Sequence, residues 1–318
     1  MDACKAAFIF YTQEEPLMGT LNEKRINCIV QTILEDYEDD RTINKTDFCN
    51  QPDKEAITGI IEKLLKIMYP GYFDDKVYRV YSIKNNLSAA IEDIIYHLNK
   101  QIKIVLRYNA DMFGLPDEKL SVMAEEITCQ FMEKIPEIRA FLETDVQAAF
   151  DGDPAAVSKE EVILSYPGIY AITVYRIAHE LFNLGVPMIP RIMTEYAHSI
   201  TGIDIHPGAT IGKYFFIDHG TGIVIGETTV IGDHVKMYQG VTLGGLSTSG
   251  GQKLKGVKRH PTIKDNVTLY SGSSILGGET VIEENVVVGG NTFVTESVAS
   301  DSRVSMKKQE LQIKNRKK

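Results

Sequence analysis

From residue 205 onward, the apolar positions of this 318-residue chain recur every six residues. Ile205, Ile211, Ile217, Ile223, Thr229, Val235 and Val241 are each six apart, and all but Thr229 are aliphatic. The phase then lapses and returns through Ile263, Leu269, Ile275, Val281, Val287 and Phe293. One apolar side chain per six residues, sustained this long, predicts a parallel β-helix of hexapeptide repeats. Its coils need short flat strands, which Ile and Val favour, and tight corners, which Gly and Asn tolerate. Coils of three hexapeptides would stack residues about 18 apart and bury a column that no single coil could bury alone. Val241 and Ile263 stand 22 residues apart where one repeat takes six. About 16 residues therefore leave the helix as a loop over roughly 247–260, and loops on rigid scaffolds often carry function.

Before Ser199 the period is helical. Leu87, Ile91, Ile94, Ile95 and Leu98 fall three and four apart, one apolar face of a helix over 86–108. Similar patterns predict helices over about 21–37, 54–68, 118–135, 137–150 and 170–184, and a short last one from Pro187 to about His198. Tyr69-Pro70-Gly71, Asp151-Gly152-Asp153-Pro154 and Tyr166-Pro167-Gly168 read as turns. The expected organisation is an N-terminal tail (1–20), a helical domain (21–200), a β-helix domain (201–299) and a basic C-terminal tail (300–318). An open β-helix exposes strand edges. The helical half is placed to cap one end, and the tail to cover or trail from the other.

Composition refines this only a little. With 43% hydrophobic and 24% charged residues the chain reads as soluble and globular. No apolar run approaches the ~20 residues that cross a bilayer. The AAFIFY stretch is short for a signal sequence and precedes acidic residues, so a cytoplasmic protein is expected. A net charge of -9 argues against nonspecific nucleic-acid binding. Cys4, Cys28, Cys49 and Cys129 are scattered without a C-x-x-C pair, which predicts separate thiols and no structural zinc.

Candidate chemistry concentrates where the repeat is interrupted. Four of the seven histidines fall between His206 and His260, and histidine is the side chain best placed to exchange protons near neutrality. His219 follows Asp218 and precedes Gly220-Thr221-Gly222, so small residues leave room beside it. A general base needs its second ring nitrogen held by an acceptor. Asp204, nearly one coil earlier, is one candidate and Glu227 a second. Arg259-His260-Pro261 closes the extruded loop, and arginine offers a fork suited to a carboxylate. Lys253, Lys255, Lys258 and Arg259 make that loop either an anion-binding flap or a solvated segment. His206 and His234 read as corner residues. Gly244-Gly245, Ser271-Gly272, Gly277-Gly278 and Gly289-Gly290 fit no phosphate-loop motif; they serve as corners or as a groove where a thin ligand approaches backbone.

These residues resemble the serine O-acetyltransferases of the hexapeptide-repeat acyltransferase superfamily. The resemblance rests on YRIAHEL (175–181), GIDIHPGATIG (202–212), FFIDHGTGIVIGETTVIGDHV (215–235), QGVTLGGLS (239–247) and VKRHPTIKDNVTLYSGSSILGG (257–278). It implies an α+β chain with an all-helical N-terminal domain, then a left-handed parallel β-helix with one extruded loop. It implies acetyl transfer from acetyl-CoA to the hydroxyl of L-serine, giving O-acetyl-L-serine for cysteine synthesis, with no metal expected. Residue by residue, His219 matches the base and Asp204 its orienting carboxylate, with His260 a second site histidine. Asp153 and Asp218 match acids around the serine amino group, and Arg259 the holder of its carboxylate. Gly245, Ser271, Gly272, Gly289 and Gly290 match the region where the family places CoA. Family sites lie between subunits of a homotrimer, and trimers often pair into hexamers. Cysteine, with the same amino and carboxyl groups, is expected to compete with serine.

Loop 246–259 looks longer than in the best-known members. Members that dock into O-acetylserine sulfhydrylase end in an isoleucine; this sequence ends Asn315-Arg316-Lys317-Lys318, so that complex is not expected. The alternatives are a hexapeptide acetyltransferase for a sugar, an antibiotic or another amino acid, and a β-helix carbonic anhydrase with His206, His219 and His234 on zinc.

Overall fold

The last α-helix ends at Thr201 and the first strand begins at Asp204. The computed structural model describes residues 23–39, 41–45, 50–73, 83–109, 112, 114–247 and 249–307. The AAFIFY stretch, Cys4, Cys49 and Asn315–Lys318 lie outside them. The chain forms two compact units, Met1–Gln51 and Pro52–Lys318. The first carries α1 (Glu23–Tyr37), a helix with no buried residue. Cys28 on α1 is disulfide-bonded, against the expectation of separate thiols, whereas Cys129 is free and exposed. The absence of C-x-x-C spacing says nothing about pairing between distant cysteines.

The second unit opens with α2 (Lys54–Met68), α3 (Ile83–Leu106), α4 (Asp117–Glu133), α5 (Ile135–Gly152), α6 (Lys159–Ser165), α7 (Pro167–Asn183) and α8 (Ile189–Thr201). Short α6 was not expected. Its signal is the S-x-x-E pattern of a capping box: Ser158 accepts the Glu161 N–H at 3.2 Å, while the Glu161 carboxylate reaches one residue further and accepts the Val157 N–H at 2.8 Å. No described helix is long and apolar enough to cross a membrane.

Fourteen short strands then wind a left-handed parallel β-helix of about five turns. Sheet A stacks β1 (Asp204–Ile205), β4 (Val224–Ile225), β7 (Thr242–Gly244), β10 (Ser274–Leu276) and β13 (Phe293–Val294). Sheet B stacks β2 (Thr210–Ile211), β5 (Val230–Ile231), β8 (Thr262–Ile263) and β11 (Val281–Ile282). Sheet C stacks β3 (Phe216–Asp218), β6 (Lys236–Tyr238), β9 (Thr268–Leu269), β12 (Val287–Val288) and β14 (Arg303–Val304). The chain visits A, B and C in turn, so the prism has AB, BC and CA corners. At the BC corners Tyr214, His234, Asn266, Asn285 and Asp301 all take positive φ between 55° and 61°. His234 is thus a corner residue, its ring stacked on Tyr214 at 4.3 Å.

Register shows where residues were inserted. Ile225 pairs with Leu243, an 18-residue coil, but Ile205 pairs with Ile225, 20 residues on. The surplus two sit at the first CA corner, between Ile217 and Ile225. Leu243 pairs with Ile275, 32 residues on, so the extruded loop adds fourteen residues rather than sixteen. Ile263 pairs with Ile282, 19 on, with the extra residue beside Gly277-Gly278. That extra residue shifts the last part of the six-residue column. Ile282, Val288 and Val294 are buried in place of the expected Val281, Val287 and Phe293, and Phe293 is 72% exposed.

The open edge of the first coil is closed by the YRIAHEL helix. Tyr175 O–H donates to the Ala209 carbonyl at 2.5 Å, Arg176 to the Ile211 and Gly212 carbonyls at 3.2 and 2.7 Å, and His179 Nδ1–H to the Pro207 carbonyl at 2.7 Å. Arg176 also holds buried Asp145 through two hydrogen bonds, at 2.6 and 2.9 Å, and Asp145 accepts the Phe215 N–H at 3.1 Å. Unpaired carbonyls in a dry interface would cost stability, so helix–prism docking follows from these residues.

Candidate active site

Sheet A carries a polar group at each of its two edges. At the first CA corner, β3 ends in Asp218 and the two surplus residues let the chain bulge. His219 and Gly220 adopt successive left-handed conformations, φ 59° and 89°. The His219 side chain is 74% exposed, with Nε2 3.7 Å from Asp218 Oδ1. Asp153 arrives from the helical half, just beyond α5. Lys236 Nζ anchors that helix end by donating to the Gly152 carbonyl at 2.9 Å. Tyr166, which begins the turn into α7, donates its hydroxyl to Asp153 Oδ2 at 2.5 Å, and the Ala155 N–H reaches Oδ1 at 2.8 Å. The Tyr166 hydrogen bond leads in holding the Asp153 carboxyl below its usual range, and the nearby His219 and Lys236 charges add to it. Tyr166 is itself pushed up to about 12, chiefly by that hydrogen bond and by burial, with Asp218 contributing. Asp153, Tyr166, Asp218 and His219 thus form one electrostatic neighbourhood.

At the AB corners stands the second group. Arg259 pairs with Glu227 and donates to the Leu254 carbonyl at 3.2 Å. Glu227 is therefore engaged by Arg259 and not by His219. Burial raises the Glu227 carboxyl, but the Arg259 hydrogen bond and charge outweigh it, and the net shift is downward. His260 is 8% exposed and lies over Gly226, where any Cβ would overlap its ring. The Thr228 N–H donates to His260 Nδ1 at 3.0 Å. An N–H can only donate, so Nδ1 carries the lone pair and the ring proton sits on Nε2. Burial, then the Arg259 charge, lowers the His260 pKa to about 4, so the imidazole is neutral near pH 7. Thr228 Oγ1 also accepts the Arg259 and His260 N–H groups at 2.9 and 3.1 Å, pinning the loop's return to the coil.

Asp204 lies on β1 and accepts from Arg191 at 3.2 Å; Arg191 also pairs with Glu195. The ionic neighbour of His219 is Asp218. Ser271-Gly272 and Gly289-Gly290 follow the CA edge below His219, whereas Gly245 lies at the AB edge. Lys258 donates to the Thr228 and Pro261 carbonyls at 2.6 and 3.2 Å, while Lys253 and Lys255 are exposed. His206, His219 and His234 stand at three different corners, and His206 Nδ1 already accepts the Gly208 N–H at 3.0 Å. Within one chain they do not converge on an ion. Tyr166, Thr228, Tyr238 and Tyr270 border these groups and were not anticipated.

The prism, with proton-exchanging and anion-holding corners flanking one sheet, has the architecture of a hexapeptide-repeat acyltransferase. No protein-family model matches the chain. Over 260 residues, 80% of its length, it is 44% identical to the plasmid serine acetyltransferase of Synechococcus elongatus, of which it spans 81%. Over 163 residues it is 47% identical to the Bacillus subtilis serine acetyltransferase, 51% of this chain and 72% of that one. The chain belongs to the serine acetyltransferase family. Its structure is similar to that of Entamoeba histolytica serine acetyltransferase isoform 3 in complex with cysteine, with TM-score 0.70, 33% identity, and 91% and 93% of the two chains covered. It also resembles the Neisseria gonorrhoeae enzyme in complex with serine, with TM-score 0.51, 26% identity, and 77% and 93% covered.

Proposed function

We propose that the chain transfers the acetyl group of acetyl-CoA to the hydroxyl of L-serine, at a site completed by a neighbouring copy in a homotrimer. One observation carries this reading: the acids beside His219 and the Arg259–His260 pair occupy opposite edges of one sheet. An amino acid needs anionic groups for its ammonium and a cationic fork for its carboxylate. Asp153 and Asp218 supply the first at the CA edge, and Arg259 the second at the AB edge. Between the edges, below Asp204 on β1, sheet A presents the register column Val224, Thr242, Ser274 and Phe293, these four uncharged, with Val224 and Phe293 39% and 72% exposed. Packing these faces about a threefold axis brings the CA edge of one chain to the AB edge of the next.

In this arrangement His219 takes the serine Oγ proton as that oxygen attacks the thioester carbonyl carbon. Asp204 is the carboxylate that orients His219 and steadies the imidazolium, while Asp218, 3.7 Å from the ring, faces the serine ammonium. The tetrahedral oxyanion needs donors, and the neighbour's neutral His260 offers its Nε2–H without adding a competing charge. Collapse expels the CoA thiolate, which takes from His219 the proton that came from serine. Ser271, Gly272, Gly289 and Gly290 follow the CA edge along which the CoA chain descends, and Gly245 faces it from the neighbour. Cysteine fits the same amino-acid contacts and acts as a competitor. A cytoplasmic setting goes with an acetyl-CoA-dependent reaction; the Cys28 disulfide is the observation that runs against it. Thiol release from acetyl-CoA with L-serine, set against sugars and other amino acids, tests the reading. Turnover with another acceptor and none with serine would end it.

A further inference from the structure

Two tyrosines stand one above the other on the outer face of sheet C, just below the His219 corner. Tyr238 lies in register with Asp218, and its ring stacks on Tyr270 with centroids 5.0 Å apart and planes 14° apart. The next coil places Gly289 under Tyr270, since Leu269 pairs with Val288. A Cβ at Gly289 would stand 2.9 Å from the Val304 carbonyl oxygen, so the aromatic ladder stops there. Tyr270 is 41% exposed, and among the described residues no ring or cation covers its lower face. Beside the ladder, the CA corners narrow to backbone: a Cβ on Gly240 would stand 3.5 Å from the Gly272 Cα. The result is a bare-floored groove with an aromatic wall that ends in an open ring.

We propose that the adenine of the acyl donor stacks on the lower face of Tyr270, in the gap above Gly289. The inference rests on the acetyl-CoA reading and specifies where the donor's nucleotide end is held. Coils rise about 4.8 Å each, so the gap lies roughly three coils, or about 14 Å, below His219. The pantetheine and pyrophosphate arm separating thioester from adenine spans that drop. A purine has the planar π-face that an offset ring-on-ring contact requires, and the coil spacing leaves room for one ring where Gly289 replaces a side chain.

The test compares two donors, acetyl-CoA and S-acetyl-pantetheine, which lacks the nucleotide, across the parent, Tyr270→Leu and Tyr270→Phe. Base–aromatic stacking contributes measurably to binding, so Tyr270→Leu should raise KM for acetyl-CoA about fivefold or more. Tyr270→Phe should stay close to the parent. With S-acetyl-pantetheine the Leu variant should show no such penalty. Equal loss with both donors would mark Tyr270 as a structural or subunit contact and overturn the proposal, as would an unchanged KM for acetyl-CoA. CoA binding followed by tyrosine fluorescence needs no acceptor: Tyr270-dependent binding without serine turnover would keep the platform and remove the serine assignment.

Discussion

His219 and Arg259 leave the same prism at opposite edges of sheet A, which on the proposed reading sets the acids for an amino acid's ammonium and the fork for its carboxylate on separate edges. The hollow of 660 Å³ in the helical half, bordered by Tyr72 and Arg139, includes neither residue. On the proposed reading a single chain carries two half-sites, in keeping with an exposed His219 and a paired Arg259 that share no contact.

His219→Ala should lower serine acetylation at least about 10²-fold, the lower range for losing a general base. Steady-state thiol release measures it. Near-normal turnover would remove His219 from the chemistry.

Arg259→Lys should raise the serine KM while leaving kcat less affected, because an ammonium cannot form a two-pronged contact with a carboxylate. Glu227→Gln should shift the serine KM in the same direction, because the guanidinium loses the carboxylate that positions it. An unchanged serine KM in both variants would argue that Arg259 holds the loop and not the substrate.

His260 yields a pH prediction. Its folded-state pKa of about 4 lies below the ~6.5 of an unfolded histidine. Between those values the unfolded chain binds more protons, so stability falls as pH drops from about 6.5 toward 4. Denaturant midpoints across this range should show that slope in the parent and a shallower one in His260→Gln. Identical slopes would contradict a buried neutral imidazole.

The interface between helices and prism rests on Arg176 and Asp145, whose side chains are 7% and 0% exposed. Removing one member of a buried pair strands the other, at a typical cost of about 3–5 kcal/mol. Arg176→Met should therefore lower the unfolding midpoint sharply. Thr229 is the opposite case: it is 1% exposed, and its hydroxyl finds no partner among the described residues. Thr229→Val should leave stability equal or raise it by about 1 kcal/mol.

The sequence revealed the prism because burial selects aliphatic side chains at fixed spacing. It concealed one insertion for the same reason. Each repeat buries two positions two residues apart; the second is aliphatic or Met, and the first is often aliphatic too. Ile205, Ile211 and Ile217 occupy the second position; Ile223, Thr229, Val235 and Val241 occupy the first. The two residues added at His219 therefore change phase without breaking the run of six. At Gly277 a single added residue is hidden differently: Val281 and Val287, next to the buried Ile282 and Val288, keep the count of six while turning outward with Phe293. His219, Asp218 and Arg259-His260 were legible as motifs. Tyr166 on Asp153 and Thr228 on His260 were not, because those contacts join segments 13 and 32 residues apart whose approach only the fold decides.

The central claim, a site shared between chains, is tested most directly by mixing two inactive variants, His219→Ala and Arg259→Ala, after joint refolding. In mixed trimers an intact His219 edge meets an intact Arg259 edge. Serine acetylation should then recover to a sizeable fraction of the parent's. Mixtures as inactive as either variant alone would contradict the account.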